Sequence, residues 1–162
     1  LRQTVTEVRL LGYPDGGLAQ VDAAGATAAI AAEIRRIRPH VIATFGPEGG
    51  YGHPDHIAIS QFTTAAAVQA AADSYRVSKL YYMAWTREKW DAYQAALKKL
   101  VSRVEGVERQ ATPWPDWAIT TVVDTSRYWP EVWRAVSCHQ TQMSVYRNLQ
   151  QQIGRASCRE RV

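Results

Sequence analysis

Apolar and polar positions along this chain switch between two periods. An alternating run extends from Thr4 to Leu11, and Val5-Thr6-Glu7-Val8-Arg9-Leu10-Leu11-Gly12-Tyr13 reads as a strand. It breaks at the turn cluster Pro14-Asp15-Gly16-Gly17. Val21 to Arg38 is alanine-rich, with Ile30, Ile34 and Ile37 at helical spacing, and ends just before Pro39. His40 to Phe45 is a short apolar run between turn residues, the pattern of a buried parallel strand. Gly46 to Gly52 reads as a glycine-rich loop, and Pro54 occupies the first-turn position that proline favours in a helix predicted to reach about Ala72. A third strand is predicted over Lys79–Trp85, then a helix over Arg87–Val104 with Trp90, Tyr93, Leu97 and Leu100 on one face. A loop at Thr112–Trp117, a strand over Ile119–Asp124 and a last helix from about Pro130 to Leu149 complete the pattern. Strands separated by helices predict an α/β fold with a mainly parallel sheet.

The length of 162 residues suits one domain, and 46% apolar with 21% charged residues excludes disorder as the main state. No stretch approaches the roughly 18 uncharged apolar residues of a membrane span. The opening Leu1-Arg2-Gln3-Thr4 is not the basic-then-apolar start of a signal peptide. Two cysteines, Cys138 and Cys158, are too few for a disulfide framework, so a cytoplasmic location is expected. The formal charge of +4 raises the question of a nucleic-acid partner. However, the last ten residues, Ile153 to Val162, resemble a translated reading frame of a sequencing adapter and are expected to be an artefactual tail. They hold three Arg, one Glu and Cys158; without them the balance is 16 basic to 14 acidic residues, a net charge of +2. The densest basic run, Arg35-Arg36-Ile37-Arg38, closes a helix, where positive charge suits the macrodipole. Nucleic acid is therefore not an expected partner.

In open parallel sheets ligands bind at the carboxyl ends of the strands. Two segments qualify, Tyr13–Leu18 and Gly46–His56, and the second is chemically much the richer. His53 and His56 are three residues apart across a helix start, so both side chains can face one point. Glycines on either side of Tyr51 let the backbone approach a ligand closely. Two histidines and Asp55 within four residues suit Zn²⁺, which accepts imidazole and carboxylate together. A His-x-x-His alone is commonly a helix-start coincidence, and a glycine-rich turn after a strand is common too. Their joint occurrence at a strand end is what selects the segment. Cys138 beside His139 is no metal pair, since adjacent helical residues diverge by about 100°; a buried thiol is expected.

Arg38-Pro39-His40-Val41-Ile42-Ala43-Thr44-Phe45-Gly46, followed by Gly49-Gly50-Tyr51-Gly52-His53-Pro54-Asp55-His56, resembles the second motif of the LmbE-like (PIG-L) zinc deacetylases. Leu11-Gly12-Tyr13-Pro14-Asp15-Gly16-Gly17-Leu18 resembles the segment before it, and His139-Gln140-Thr141-Gln142 resembles the family's His-x-Ser-Gln segment with Thr141 in place of Ser. The resemblance implies a three-layer Rossmann-like fold and removal of the N-acetyl group from a GlcNAc-containing glycoside or amino-sugar conjugate. It implies that His56 is a zinc ligand, and that His53 stabilises the tetrahedral oxyanion or protonates the leaving amine. Tyr51 would polarise the scissile carbonyl or close over it. Asp55 would orient a neighbouring histidine, Asp15 would hydrogen-bond sugar hydroxyls and His139 would support the pocket wall.

The family's first motif, Ala-His-Pro-Asp-Asp-Glu, is not in this sequence. Residues 1–152 are therefore expected to be the C-terminal portion of a single deacetylase domain. The first strand, the other zinc ligands and the aspartate base are expected upstream of Leu1. His40 stands where the family usually has Asp, on the amino-terminal side of its strand, and is expected to be solvated. Such a fragment alone is expected to be inactive and to bind zinc poorly, because one histidine does not hold zinc.

Two other readings are open. A nucleotidyltransferase-like domain grips phosphates with His-x-Gly-His at a helix start, but here Asp55 stands where a phosphate would sit, with no Lys or Arg near in sequence. A non-catalytic carbohydrate-binding homologue would use aromatic platforms. Trp90, Trp129 and Trp133 fall at helical core spacing, whereas Trp85, Trp114 and Trp117 lie at strand ends or in loops, where they could flank a sugar.

Overall fold

The computed structural model describes residues 5–97, 101–104, 106–110, 112–143 and 159–161. Helix α1 (Ala23–Ile37) begins where the Asp22 carboxylate accepts the N–H groups of Ala24 and Gly25 at 3.1 and 3.0 Å, satisfying two of the donors a helix start leaves open. It ends at Arg38, which takes a left-handed conformation (φ 53°) ahead of Pro39. Strand β1 (Val41–Phe45) follows, then a single kinked turn α2 (Gly49–Gly52), then the long helix α3 (Pro54–Asp73) with proline in its first turn. Strand β2 (Lys79–Met83) returns parallel to β1, in register from Val41 opposite Lys79 to Phe45 opposite Met83.

The core is the seam between α1 and α3. Ala31 and Ile34 of α1 are buried against Ala66 and Ala70 of α3, while Ala26 packs on Ala58 and Phe62. Small side chains at these crossings let two helices lie close, and Ile42 of β1 packs against the first cluster. The Tyr75 hydroxyl donates to the carbonyls of Arg38 and Pro39 at 2.8 and 3.1 Å, and the N–H groups of Ser78 and Lys79 reach the His40 carbonyl. These bonds hold the entrances of the two parallel strands together, and their exits, at Phe45 and Met83, open at the same end. His40 itself is exposed. The described part is a partial α/β, Rossmann-like fold. Among the described residues no helix is long and apolar enough to cross a membrane.

Several sequence expectations need correction. Residues 5–13 do not form a strand: Val5, Val8 and Leu10 are exposed, and the segment is held to α1 by Arg9–Glu33 and Glu7–Arg36 ion pairs at 3.2 and 2.6 Å. Alternation creates a strand only where a neighbouring strand supplies the ladder. Strand β1 is only half-buried, with Val41 half exposed. The helix expected to reach Val104 stops earlier, as α4 (Arg87–Leu97), and strands β3 (Val101–Val104) and β4 (Val107–Gln110) form an antiparallel hairpin. Gly106, at φ 79°, supplies its turn, and the β-branched Val101, Val104 and Val107 favour strands. Leu100 lies outside the described residues.

The next strand is shorter than expected: β5 (Val122–Asp124) pairs antiparallel with β6 (Arg159–Arg161), inside the presumed tail. An exposed strand edge pairs readily with extended backbone of any sequence. The last predicted helix becomes α5 (Trp129–Ser137), ending before His139, and its expected continuation over 144–149 lies outside the described residues, as does Cys158. Cys138 is not buried: its thiol is exposed and donates to the Arg134 carbonyl.

Candidate active site

Chain geometry at the exit of β1 sets the site. The Gly49 N–H donates to the Gly46 carbonyl at 2.9 Å and the Gly52 N–H to the Glu48 carbonyl at 3.1 Å, folding two successive tight turns. Gly49, Gly50 and Gly52 all have positive φ, at 67°, 73° and 78°. A Cβ at Gly49 would lie 2.6 Å from the Ile57 side chain and 3.0 Å from the Ile57 nitrogen, so glycine is required there both by conformation and by space. Gly49→Ala is expected to cost about 3 kcal/mol of stability, from left-handed strain and overpacking together. A chemical-denaturation midpoint unchanged from the parent protein would refute this. Both carboxylate oxygens of Glu48 are buried against Gly46 and accept no hydrogen bond among the described residues, a costly arrangement for an ionised group.

These turns deliver Tyr51 to the start of α3, where the two histidines take complementary roles. His53 is the N-cap of α3, and its Nδ1 accepts the Asp55 N–H at 3.2 Å. The neutral ring must then carry its proton on Nε2. His56 has the opposite arrangement: its Nδ1 lies 3.1 Å from the Gly49 carbonyl, which can only accept, so Nδ1 carries the proton and Nε2 keeps its lone pair. Phe45 stacks on the His56 ring, 3.8 Å between centroids and 6° from parallel. Tyr51 meets both imidazoles edge-on, at 5.9 Å from His53 and 5.4 Å from His56, and the two imidazoles are 4.6 Å apart. One donor nitrogen and one lone-pair nitrogen thus stand side by side.

Burial holds the His56 pKa below its ordinary value of 6.5; the Gly49 carbonyl opposes this, His53 adds to it and Asp55 opposes it. The unfolded chain therefore binds this proton at higher pH than the folded one. The stability contributed by neutral His56 is complete above pH 6.5 and is lost as the pH falls through the folded value. Thermal midpoints are expected to drop on acidification below that point, with a shallower fall in His56→Gln; identical pH profiles for the two proteins would contradict this.

Asp55 does something other than orient a histidine. Its Oδ2 accepts the Gly16 N–H at 2.7 Å and its Oδ1 the Leu18 N–H at 3.0 Å, so both oxygens clamp the 13–18 loop to the turn that carries His53 and His56. The clamp fixes Asp15, which is exposed and borders a cavity of about 420 Å³. In Asp55→Asn one carboxylate oxygen becomes an amide donor facing a donor. Amide exchange at Gly16 or Leu18 is expected to accelerate about tenfold or more, while exchange within α3 stays as it was. Unchanged exchange at both loop amides would show that the clamp does not hold the loop.

Two contributors come from distant sequence. A Cβ at Gly50 would lie 3.5 Å from the Trp85 indole nitrogen, and Trp85 is packed edge-to-face with Trp90 and Tyr93, with the Lys89 ammonium over its ring. The Arg109 stem lies over Gly52, where a Cβ would be 2.9 Å from Arg109 Cβ. No Lys or Arg is near the motif in sequence, but the β3–β4 hairpin lays the side-chain stem of Arg109 against it. A cavity of about 700 Å³ lies between α3, β2 and the Trp114–Thr120 segment, reaching Gly46 and Pro47 but neither histidine. Trp117 is 87% exposed, and His139 is exposed at the end of α5.

Among the described residues no three His, Cys, Asp or Glu side chains gather as a metal set, so His56 Nε2 is a single metal-competent donor beside a histidine N–H. Residues 2–67, which include the 13–18 loop, the glycine turns and both histidines, match the PIG-L family, described as GlcNAc-PI de-N-acetylase. This segment belongs to the PIG-L family. Relatives extend the match. A 1D-myo-inositol 2-acetamido-2-deoxy-alpha-D-glucopyranoside deacetylase of Rhodococcus jostii is 37% identical over 130 residues, covering 74% of this chain and 44% of that protein. Proteins of the same description from Segniliparus rotundus and Saccharomonospora viridis are 39% and 34% identical, over 75% and 86% of this chain and 41% and 58% of theirs. The chain spans about half the length of the curated relatives it matches. Within the PIG-L segment the signature residues Tyr51, His53, Asp55 and His56 share one turn. Trp85 and Arg109 lie beyond the matched residues, and only Gly106, between valine runs, marked in sequence the hairpin that carries Arg109.

Proposed function

We propose that the protein carrying this chain is a zinc-dependent N-deacetylase that hydrolyses the acetamide of an N-acetylglucosaminyl unit in a small glycoside, with an inositol glycoside as the first substrate to try. The tautomer pairing carries this reading. His56 Nε2, with its other nitrogen committed to the Gly49 carbonyl, is prepared as a neutral metal ligand in the way metal-binding histidines are commonly held. His53 Nε2–H is prepared as a donor.

Zinc, when bound, polarises the acetamide carbonyl and lowers the pKa of water to near neutrality. The family relationship and the partial span of the relatives support further zinc donors and the base from sequence beyond this chain. As water adds to the carbonyl carbon, His53 Nε2–H donates to the oxygen that gains charge, a contribution of about 3–4 kcal/mol for a well-placed donor. The C–N bond then breaks, the amine leaves with the proton that the attacking water gave up to the base, and acetate forms, while His53 Nε2–H stays a hydrogen-bond donor. Tyr51 closes over the carbonyl, Asp55 holds the loop and Asp15 takes sugar hydroxyls.

The test is acetate and free-amine release from an N-acetylglucosaminyl inositol by the full-length protein, with zinc content measured before and after chelation. Loss of turnover on chelation and its return with zinc are expected. Full turnover by the chelated protein would overturn the reading, whereas stoichiometric zinc and turnover by residues 1–152 alone would overturn the expectation that further zinc donors and the base come from beyond this chain.

A further inference from the structure

We propose that Trp85 is a positioning residue for His56: its indole edge backs the Gly50 turn and thereby sets where the Gly49 carbonyl meets the His56 ring. The part of this inference that concerns zinc rests on the deacetylase reading; the part that concerns the hydrogen bond of the ring does not.

His56 Nδ1 lies 3.1 Å from the Gly49 carbonyl, which belongs to the peptide joining Gly49 to Gly50. Gly50 is buried and has φ 73° and ψ −75°, a γ-turn conformation that chains adopt rarely and under strain. Such a conformation persists only where its surroundings enforce it. A Cβ on Gly50 would find as its nearest neighbours Trp85 Nε1 at 3.5 Å, His56 Nδ1 at 3.9 Å and Phe45 Cδ1 at 3.9 Å. Phe45 and His56 stack on each other within the site. Trp85 is the one of the three that comes from outside it, after β2.

Trp85 is itself held from behind. Its ring meets Trp90 and Tyr93 of α4 edge-to-face, with centroids 5.8 and 4.7 Å away, and the Lys89 ammonium lies 5.4 Å from its centroid. Trp90 is buried, and the Trp85 carbonyl accepts the Trp114 N–H at 2.8 Å. Contacts thus run from α4 through Trp85 to Gly50, and from the Gly49 carbonyl to His56. A carbonyl held in place at Nδ1 selects the Nδ1–H form of the ring and keeps the Nε2 lone pair directed outward, the state a metal ligand needs. Without the indole the strained peptide loses its backing, and the carbonyl can turn away from the ring.

The experiment uses the full-length protein with ¹⁵N-labelled histidine, metal-free at mildly alkaline pH and then titrated with zinc. Nuclear magnetic resonance reads which ring nitrogen carries the proton, and competition with a chelating dye reads zinc affinity. The metal-free parent is expected to hold His56 in the Nδ1–H form. Trp85→Ala is expected to move it toward the Nε2–H form and to weaken zinc binding about tenfold or more. Trp85→Phe, which keeps a ring between α4 and Gly50, is expected to recover most of both. Trp85→Leu makes the same comparison as alanine with less disturbance of the α4 packing. Trp133→Ala, the matching change in α5, is expected to move neither readout. Parent-like His56 signals and zinc affinity in both Trp85→Ala and Trp85→Leu would overturn the proposal. Equal shifts in Trp133→Ala would also overturn it, by tracing them to general loosening. A parent protein that binds no zinc would instead remove the deacetylase reading, and the proton position on His56 would still decide the role of Trp85.

Discussion

His56→Ala is expected to strip zinc from the full-length protein and bring deacetylation to background. The substitution removes a metal donor and also the ring that Phe45 stacks on and that bonds the Gly49 carbonyl. Alanine alone would therefore confuse a chemical loss with a collapsed turn. His56→Gln separates them, since a glutamine amide can still donate to that carbonyl while presenting a much poorer zinc ligand. Both variants should lose metal and turnover, with His56→Gln keeping the parent's near-ultraviolet circular dichroism. Retention of stoichiometric zinc by His56→Gln would show that His56 is not a ligand.

His53 offers the complementary case. His53→Asn keeps an acceptor for the Asp55 N–H, asparagine being among the preferred N-caps, but does not reach the position of the imidazole Nε2–H. It should retain zinc and folding while kcat falls about 10²–10³-fold, the usual loss of one oxyanion donor. His53→Ala should add to this a loss of helix capping of about 1 kcal/mol. An equal kcat in His53→Asn and the parent would assign the donor role elsewhere. The two histidines are thus told apart by metal content rather than by activity, which falls in both.

How much of this was legible in sequence depends on how local the determinants are. The strand, glycine turns and proline-started helix from Val41 to Asp73 follow from residues near in sequence, and so did the pairing of His53 with His56. The function of the Asp55 carboxylate did not, because its partners are 37 and 39 residues away and are backbone groups, which have no sequence signature. The expected strand at residues 5–13 failed for the same reason in reverse: its alternation was present, but no neighbouring strand pairs with it among the described residues. Arg109 was hidden because the apolar spacing from Trp90 to Leu100 extended a helix across a hairpin. Four-residue strands are too short for periodicity to distinguish them from a helix end.

The alanine seam between α1 and α3 has a consequence for where damage to the site can originate. Helix α3 has 20 residues, about 30 Å of nearly inextensible rod, with the histidines at one end and Ala66 and Ala70 seated against α1 toward the other. Ala70 is fully buried at that seam, so a methyl or two added there presses on α1, and a small tilt of the rod becomes a displacement at His56. Precision at the reacting end is therefore held in trust by the smallest side chains of the helix, some 20 Å from any chemistry.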